Sequence, residues 1–195
     1  MVFLYQDEIK LDKKSSSISQ LVKNHFKFIE NLKTCYLLLT KDHTKFEVVN
    51  KDIVTKGSII ANEENSHGQF ITHEYTVTEH KPLEYMKWVS PNSKVYLKKY
   101  GIAMHVAVIL ELSVVRKNKN TAVFHSKLTL GYGSKKDLEA AEKMGSRKIW
   151  AEHAKREMKN GSTIFTYLIE SNQIDNDPKT WNFDKIIAKL EYAGK

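Results

Sequence analysis

The sequence predicts an α+β protein: a seven-stranded antiparallel sheet with a long helix near the C-terminal end. Three observations carry this. From Thr44 to Leu130 apolar residues recur with a period of two, interrupted by clusters of turn-forming residues. From Ser146 to Ser171 they recur instead at helical spacing. The links between successive candidate strands are short, which favours antiparallel pairing.

Taken in order, Val2 to Leu11 alternates around Phe3, Tyr5, Ile9 and Leu11 and reads as a first strand. Ser15, Ser16 and Ser17 supply capping hydroxyls for a helix whose Ile18, Leu21, Val22, His25, Phe26 and Ile29 share one face. Asn31 to Thr40 is undecided between a buried strand and a short helix. Candidate strands follow over 45–50, 56–62, 69–80, 83–89, 104–116 and 121–130. Turns fall at Asn50-Lys51-Asp52, at Asn65 to Gly68, at Lys81-Pro82 and from Arg116 to Asn120. The two long strands are the clearest. Met104, Val106, Val108, Leu110, Leu112 and Val114 share one face, and Ala122, Phe124, Leu128 and Leu130 share another. Pro91 to Gly101 reads as a longer connection or flap. Residues 135–144 look helical, and Gly145-Ser146 breaks and recaps the chain before the long helix. After a polar link, Phe183, Ile186, Ile187 and Leu190 fit one side of a short docking helix. The expected organisation is one domain over 1–171 with an extension over 172–195.

The long helix has an anomaly. At 100° per residue, Trp150, His153, Glu157, Gly161, Ile164 and Leu168 fall within an arc of roughly 80°. Glu152, Lys155, Arg156, Lys159 and Ser162 fall opposite. A histidine and a carboxylate in an inward stripe are costly to bury without partners. The helix is therefore expected to cover a partly polar cavity rather than a solid apolar core.

Composition excludes several classes. The chain has 195 residues, 41% hydrophobic and 28% charged, as in a soluble globular protein. Its longest apolar run, near Ile102–Leu110, is far short of the roughly 20 residues a membrane helix needs. The N-terminal residues show no signal-peptide plan, and the lone cysteine, Cys35, can form neither an internal disulfide nor a cysteine metal cluster. The expected location is the cytoplasm. The formal charge of +8 comes from 31 basic residues of which only Arg116, Arg147 and Arg156 are arginine, with lysines scattered along the chain. This reads as a solubilising surface, not a specific nucleic-acid site.

The order of strand, two helices, six strands and long helix resembles the START-like, or SRPBCC, helix-grip superfamily. That group includes polyketide cyclases, birch-pollen-allergen-like proteins and lipid-transfer domains. DHTKFEVV (Asp42–Val49) resembles that group's passage into its second strand, and KGSIIANEENSHGQFITHEYTVTEHKPLEY (Lys56–Tyr85) its following strands and turns. EHAKRE (Glu152–Glu157) is similar to a histidine-and-glutamate pattern in cyclase-like members. The resemblance implies that Asn31–Thr40 is a short helix. It also implies a curved sheet wrapped around the last helix, with an apolar cavity between them that takes a lipid, sterol or polyketide-like molecule.

Candidate site residues follow. His153 and Glu157, four apart, are placed for a mutual hydrogen bond or for chelating one metal, although neither metal nor cofactor is assigned to the chain. His43, in the DHT turn, and His73 and Tyr75, on one strand face, approach the same cavity. Trp150, Gly161, Ile164, Met86, Trp88 and Ser126 complete the expected lining; aromatic and methionine residues at such spacings equally suit plain core. Three functions are compatible with this set: a carrier of a small hydrophobic molecule, a cyclase, dehydratase or isomerase using His153 and Glu157, and a protein-interaction domain. No catalytic constellation is complete in the sequence, so the carrier is the expected function.

Overall fold

The computed structural model describes residues 1–10 and 17–190. Leu11, Ser15, Ser16 and residues 191–195 lie outside the described residues. The chain runs β1 (Val2–Lys10), α1 (Ile18–Glu30), a single 3₁₀ turn, α2 (Tyr36–Leu39), then β2 (His43–Val48), β3 (Ile59–Ser66), β4 (Gln69–Lys81), β5 (Tyr85–Leu97), β6 (Ile102–Asn118) and β7 (Thr121–Tyr132). It closes with α3 (Lys135–Lys143), α4 (Ser146–Glu170) and α5 (Asp184–Ile187). The seven strands form one curved antiparallel sheet in the order β1-β7-β6-β5-β4-β3-β2, which leaves β1 and β2 at its edges. This is the helix-grip arrangement, with α4 lying across the sheet.

Local chemistry explains the elements. Ser17 caps α1 by accepting from the Gln20 amide at 3.2 Å, and the Asn31 side chain closes the helix on the Lys27 carbonyl. The 31–40 stretch is helical, as the family resemblance implies: Leu32–Thr34 is 3₁₀ and Tyr36–Leu39 is α. Between β3 and β4 the hairpin needs only two residues, His67 and Gly68, both in the left-handed region at φ 51° and 79°. Such a turn matches the strands' own twist. Gly145, at φ 72°, lets the chain reverse from α3 into α4.

One connection differs from the expectation. Pro91 to Gly101 is not a flap, because β5 runs through to Leu97. Pro91 and Asn92 sit where the β5–β6 register shifts between Ser90 and Ser93, so the missing proline N–H interrupts no regular ladder. Beyond that bulge Ser93, Val95 and Leu97 are buried while Lys94 and Tyr96 are exposed. Only Lys98–Tyr100 makes the turn.

The inward face of the sheet carries Val77, Met86, Trp88, Val106, Val108 and Leu112, all buried. Against it pack α1, α2 and the apolar stripe of α4. Ile174, Trp181, Ile186 and Leu190, which follow α4, are buried in the same hydrophobic cluster, whereas Ile187 is exposed. Among the described residues no helix is long and apolar enough to cross a membrane.

Candidate functional site

Between α4 and the sheet lies a cavity of about 550 Å³. Helix α4 contributes Trp150, His153, Glu157 and Gly161, one per turn, and the strands contribute His73, Tyr75, Trp88 and Ser126 among others. These are eight of the eleven expected site residues. Ile164 and Met86 are fully buried and stand outside the lining, so they are core. His43 is also outside the lining, yet it belongs to the polar cluster described below. Four lining residues are exposed on the outer surface, Val2 and Leu4 of β1 and Ala151 and Lys155 of α4. They mark a mouth between the edge strand and the helix.

Most of the wall is apolar, with Phe28, Ile29, Leu32, Leu112 and Phe124 prominent. His25 is part of it, although helical spacing alone gave this residue no role. It is buried against Phe124 and Phe165, at 4.4 and 4.8 Å between ring centroids, and neither ring nitrogen has a hydrogen-bond partner. Burial pushes its pKa down to about 3.

The other end is a buried ionisable cluster. His153 Nδ1 lies 3.0 Å from Asp42 Oδ2, and its Nε2 lies 3.3 Å from Glu64 Oε2. Asp42 also accepts from Ser66 at 2.9 Å and from the Arg156 guanidinium at 2.8 Å. The helical wheel put Arg156 on the outer side, but its long side chain reaches back to this carboxylate. Ser162, also placed outside by the wheel, lines the cavity and donates to Asp7. Glu64 is held on its other oxygen by Asn62 at 2.7 Å and Tyr36 at 3.3 Å. Tyr36 is itself stacked between His43 and Phe46.

The expected hydrogen bond between His153 and Glu157 is not made. Their closest atoms are 4.0 Å apart, and the imidazole takes Asp42 and Glu64 as partners instead. Glu157 Oε1 is 3.9 Å from His43 Nε2, and Glu157 keeps 26% of its side-chain surface open, lining the cavity. His43 Nδ1 lies 2.9 Å from the Tyr36 carbonyl oxygen and His73 Nδ1 lies 2.7 Å from Ser93 Oγ, which donates onward to Ser90. A carbonyl can only accept, so His43 carries its proton on Nδ1. The Nε2 atoms of His43, His73 and His153 all lie within 3.9 Å of a Glu64 oxygen.

The charges follow from the geometry. Burial drives His43 and His73 down to about 4, so both rings are neutral. Burial also opposes protonation of His153, but the charge of Glu64, the bond to Asp42 and the charge of Glu157 together lift it to about 9. Burial raises Glu64, yet the surrounding histidines and Asn62 outweigh this and bring it to about 2. Glu157 goes the other way: burial, with Glu64 adding and His153 opposing, lifts it to about 7. The donor atoms of His43, His153 and Glu157 lie within 4.8 Å of one another, the separation of groups able to share one ion.

No family model matches the chain, and the comparison with curated proteins gives no match. Solved structures do match. A protein from Thermus thermophilus is 11% identical, with 88% of this chain and 99% of that one covered and a TM-score of 0.59. A conserved protein from Geobacillus kaustophilus is also 11% identical, covering 88% and 97%, with a TM-score of 0.53. An Arthrobacter aurescens protein is 12% identical over 83% and 86%, with a TM-score of 0.50. Likenesses at this identity speak to the fold alone, and with the topology above they show the helix-grip fold.

Proposed function

We propose that the protein binds a small hydrophobic molecule, of the lipid, sterol or polyketide class, in the cavity between α4 and the sheet. One observation carries this: a cavity of about 550 Å³ with a mainly apolar wall and ionisable groups gathered at one end. Ligand sites have this size and this division between apolar walls and a few orienting polar groups. The apolar body would lie against Phe28, Leu112 and Phe124, and a polar group would meet Glu157. The lone Cys35, buried and unbridged, fits the cytoplasmic location included in this reading.

The test is displacement of an environment-sensitive apolar dye by a fatty acid, a sterol or a flat aromatic polyketide. The displacing compound should also raise Tm, since a ligand of the native state alone stabilises it by mass action. Gly161→Leu should block binding while leaving the fold intact, because a Cβ at Gly161 meets only Leu39 at 3.7 Å. Failure of all such compounds at tens of micromolar, about −6 kcal/mol, sinks the reading.

The gathering of His43, Glu64, His153 and Glu157 also supports a second reading, an enzyme of the cyclase, dehydratase or isomerase type. Its test is exchange of an enolisable ketone's α-hydrogen with deuterium from D₂O. Exchange catalysed by the wild type and lost in Glu157→Gln would favour it over simple carriage.

A further inference from the structure

The ionisable cluster has the layout of a set of metal ligands with their supporting groups. His153 is oriented by a carboxylate on Nδ1, and His43 by a backbone carbonyl. These are the two commonest supports for metal-bound histidines, and both aim Nε2 at the same space. His43 Nε2 is buried, in a residue only 6% exposed, and has no hydrogen-bond partner. Buried polar atoms left unmatched in this way are costly unless something else meets them.

We propose that His43 Nε2, His153 Nε2 and the Glu157 carboxylate bind one divalent transition-metal ion of the Zn²⁺ kind, with an open coordination position toward the cavity. Two imidazoles and one carboxylate suit such an ion, whereas calcium and magnesium prefer oxygen donors throughout. Bonds of about 2.0–2.1 Å at tetrahedral angles set donor separations of about 3.3 Å. His43 is 3.9 Å from one Glu157 oxygen and His153 is 4.0 Å from the other. Taken one atom per residue, the three donors lie within 4.8 Å of one another, so closing on an ion asks the side chains to draw in by up to about 1.5 Å. Glu64, 3.3 Å from His153 Nε2, stands beside the ion as a neutralising charge. The ion takes the place of the proton on His153 Nε2, so binding releases that proton. The site holds whether or not the apolar part of the cavity takes a hydrophobic guest.

The experiment is titration of the full chain, stripped with a chelator, with Co²⁺ followed in the visible and with Zn²⁺ by calorimetry. One equivalent should bind, with the intense visible bands of four- or five-coordinate Co²⁺ and a rise in Tm. His43→Gln and Glu157→Gln should each weaken binding by about a hundredfold or more. The exposed His67→Ala and His105→Ala should leave it unchanged. Glu157→Gln preserves shape at a partly open position, so it remains informative if the buried His43 variant fails to fold. No saturable binding, an octahedral aqueous-type Co²⁺ spectrum, or binding lost in the surface variants but kept in Glu157→Gln would overturn the proposal. Dye displacement repeated with chelator present separates the two ideas, since loss of the metal site alone leaves guest binding in place.

Discussion

His153 donates from Nδ1 to Asp42 Oδ2 at 3.0 Å, joining α4 to the α2–β2 turn across 111 residues of chain. Asp42 thereby ties its turn to two elements, since Ser66 ends β3 and Arg156 comes from the next turn of α4.

Asp42→Ala is therefore expected to be severe. It leaves a partly buried guanidinium and a buried imidazole without this acceptor, a loss of about 3 kcal/mol by analogy with broken buried ion pairs. Asp42→Asn keeps the shape and part of the bonding and should lose less. Urea unfolding of the two variants decides this, and a cost below about 1 kcal/mol for the alanine variant would show that this tie is not structural.

Acid sensitivity should trace in part to His25. An unfolded histidine titrates near 6.5, whereas the native residue resists protonation down to about 3. Below pH 6.5 the unfolded chain thus binds a proton that the native state does not, and stability falls as pH drops through that window. The slope is at most about 1.4 kcal/mol per pH unit. In His25→Leu the loss of stability between pH 7 and pH 5 should shrink by about 1–2 kcal/mol. An unchanged difference would mean that the native ring is protonated after all.

Trp181 is 7% exposed although it follows a polar, proline-containing link. Its replacement by alanine is expected to cost about 3 kcal/mol, as for a core aromatic. Truncation after Ser171 should leave a folded, cooperatively melting domain with a lowered Tm. An insoluble product would make residues 172–190 an integral part of the core.

The sheet was largely legible because alternation survives in nearly every strand. It failed at Pro91, where proline and asparagine suggest a loop and only the tertiary bulge reveals a continuous strand. The helical half of the site was legible too, since a wheel needs no long-range information. Two of its partners, Glu64 and Asp42, were not. Asn65 to Gly68 suggested a turn, so β3 was expected to stop at Asn62, which left Glu64 outside the strand. In the structure Ile60, Asn62, Glu64 and Ser66 are all buried on one face. That inward run of polar residues was the available signal, and the low strand propensity of asparagine and glutamate concealed it. Asp42 gave no local sign at all, because its role depends on a contact made far away in sequence.

The position of β1 bears on how quickly a guest could come and go. This strand supplies Val2, Phe3, Leu4 and Tyr5 to the cavity wall, and among the described strands it is paired only with β7. An edge strand yields at lower free energy than one bonded on both sides. The wall beside the mouth is therefore the part that opens most readily. Residence time of a bound molecule is expected to follow the rate at which the β1 amides exchange with solvent, and a cross-link pinning β1 to β7 would lengthen both together.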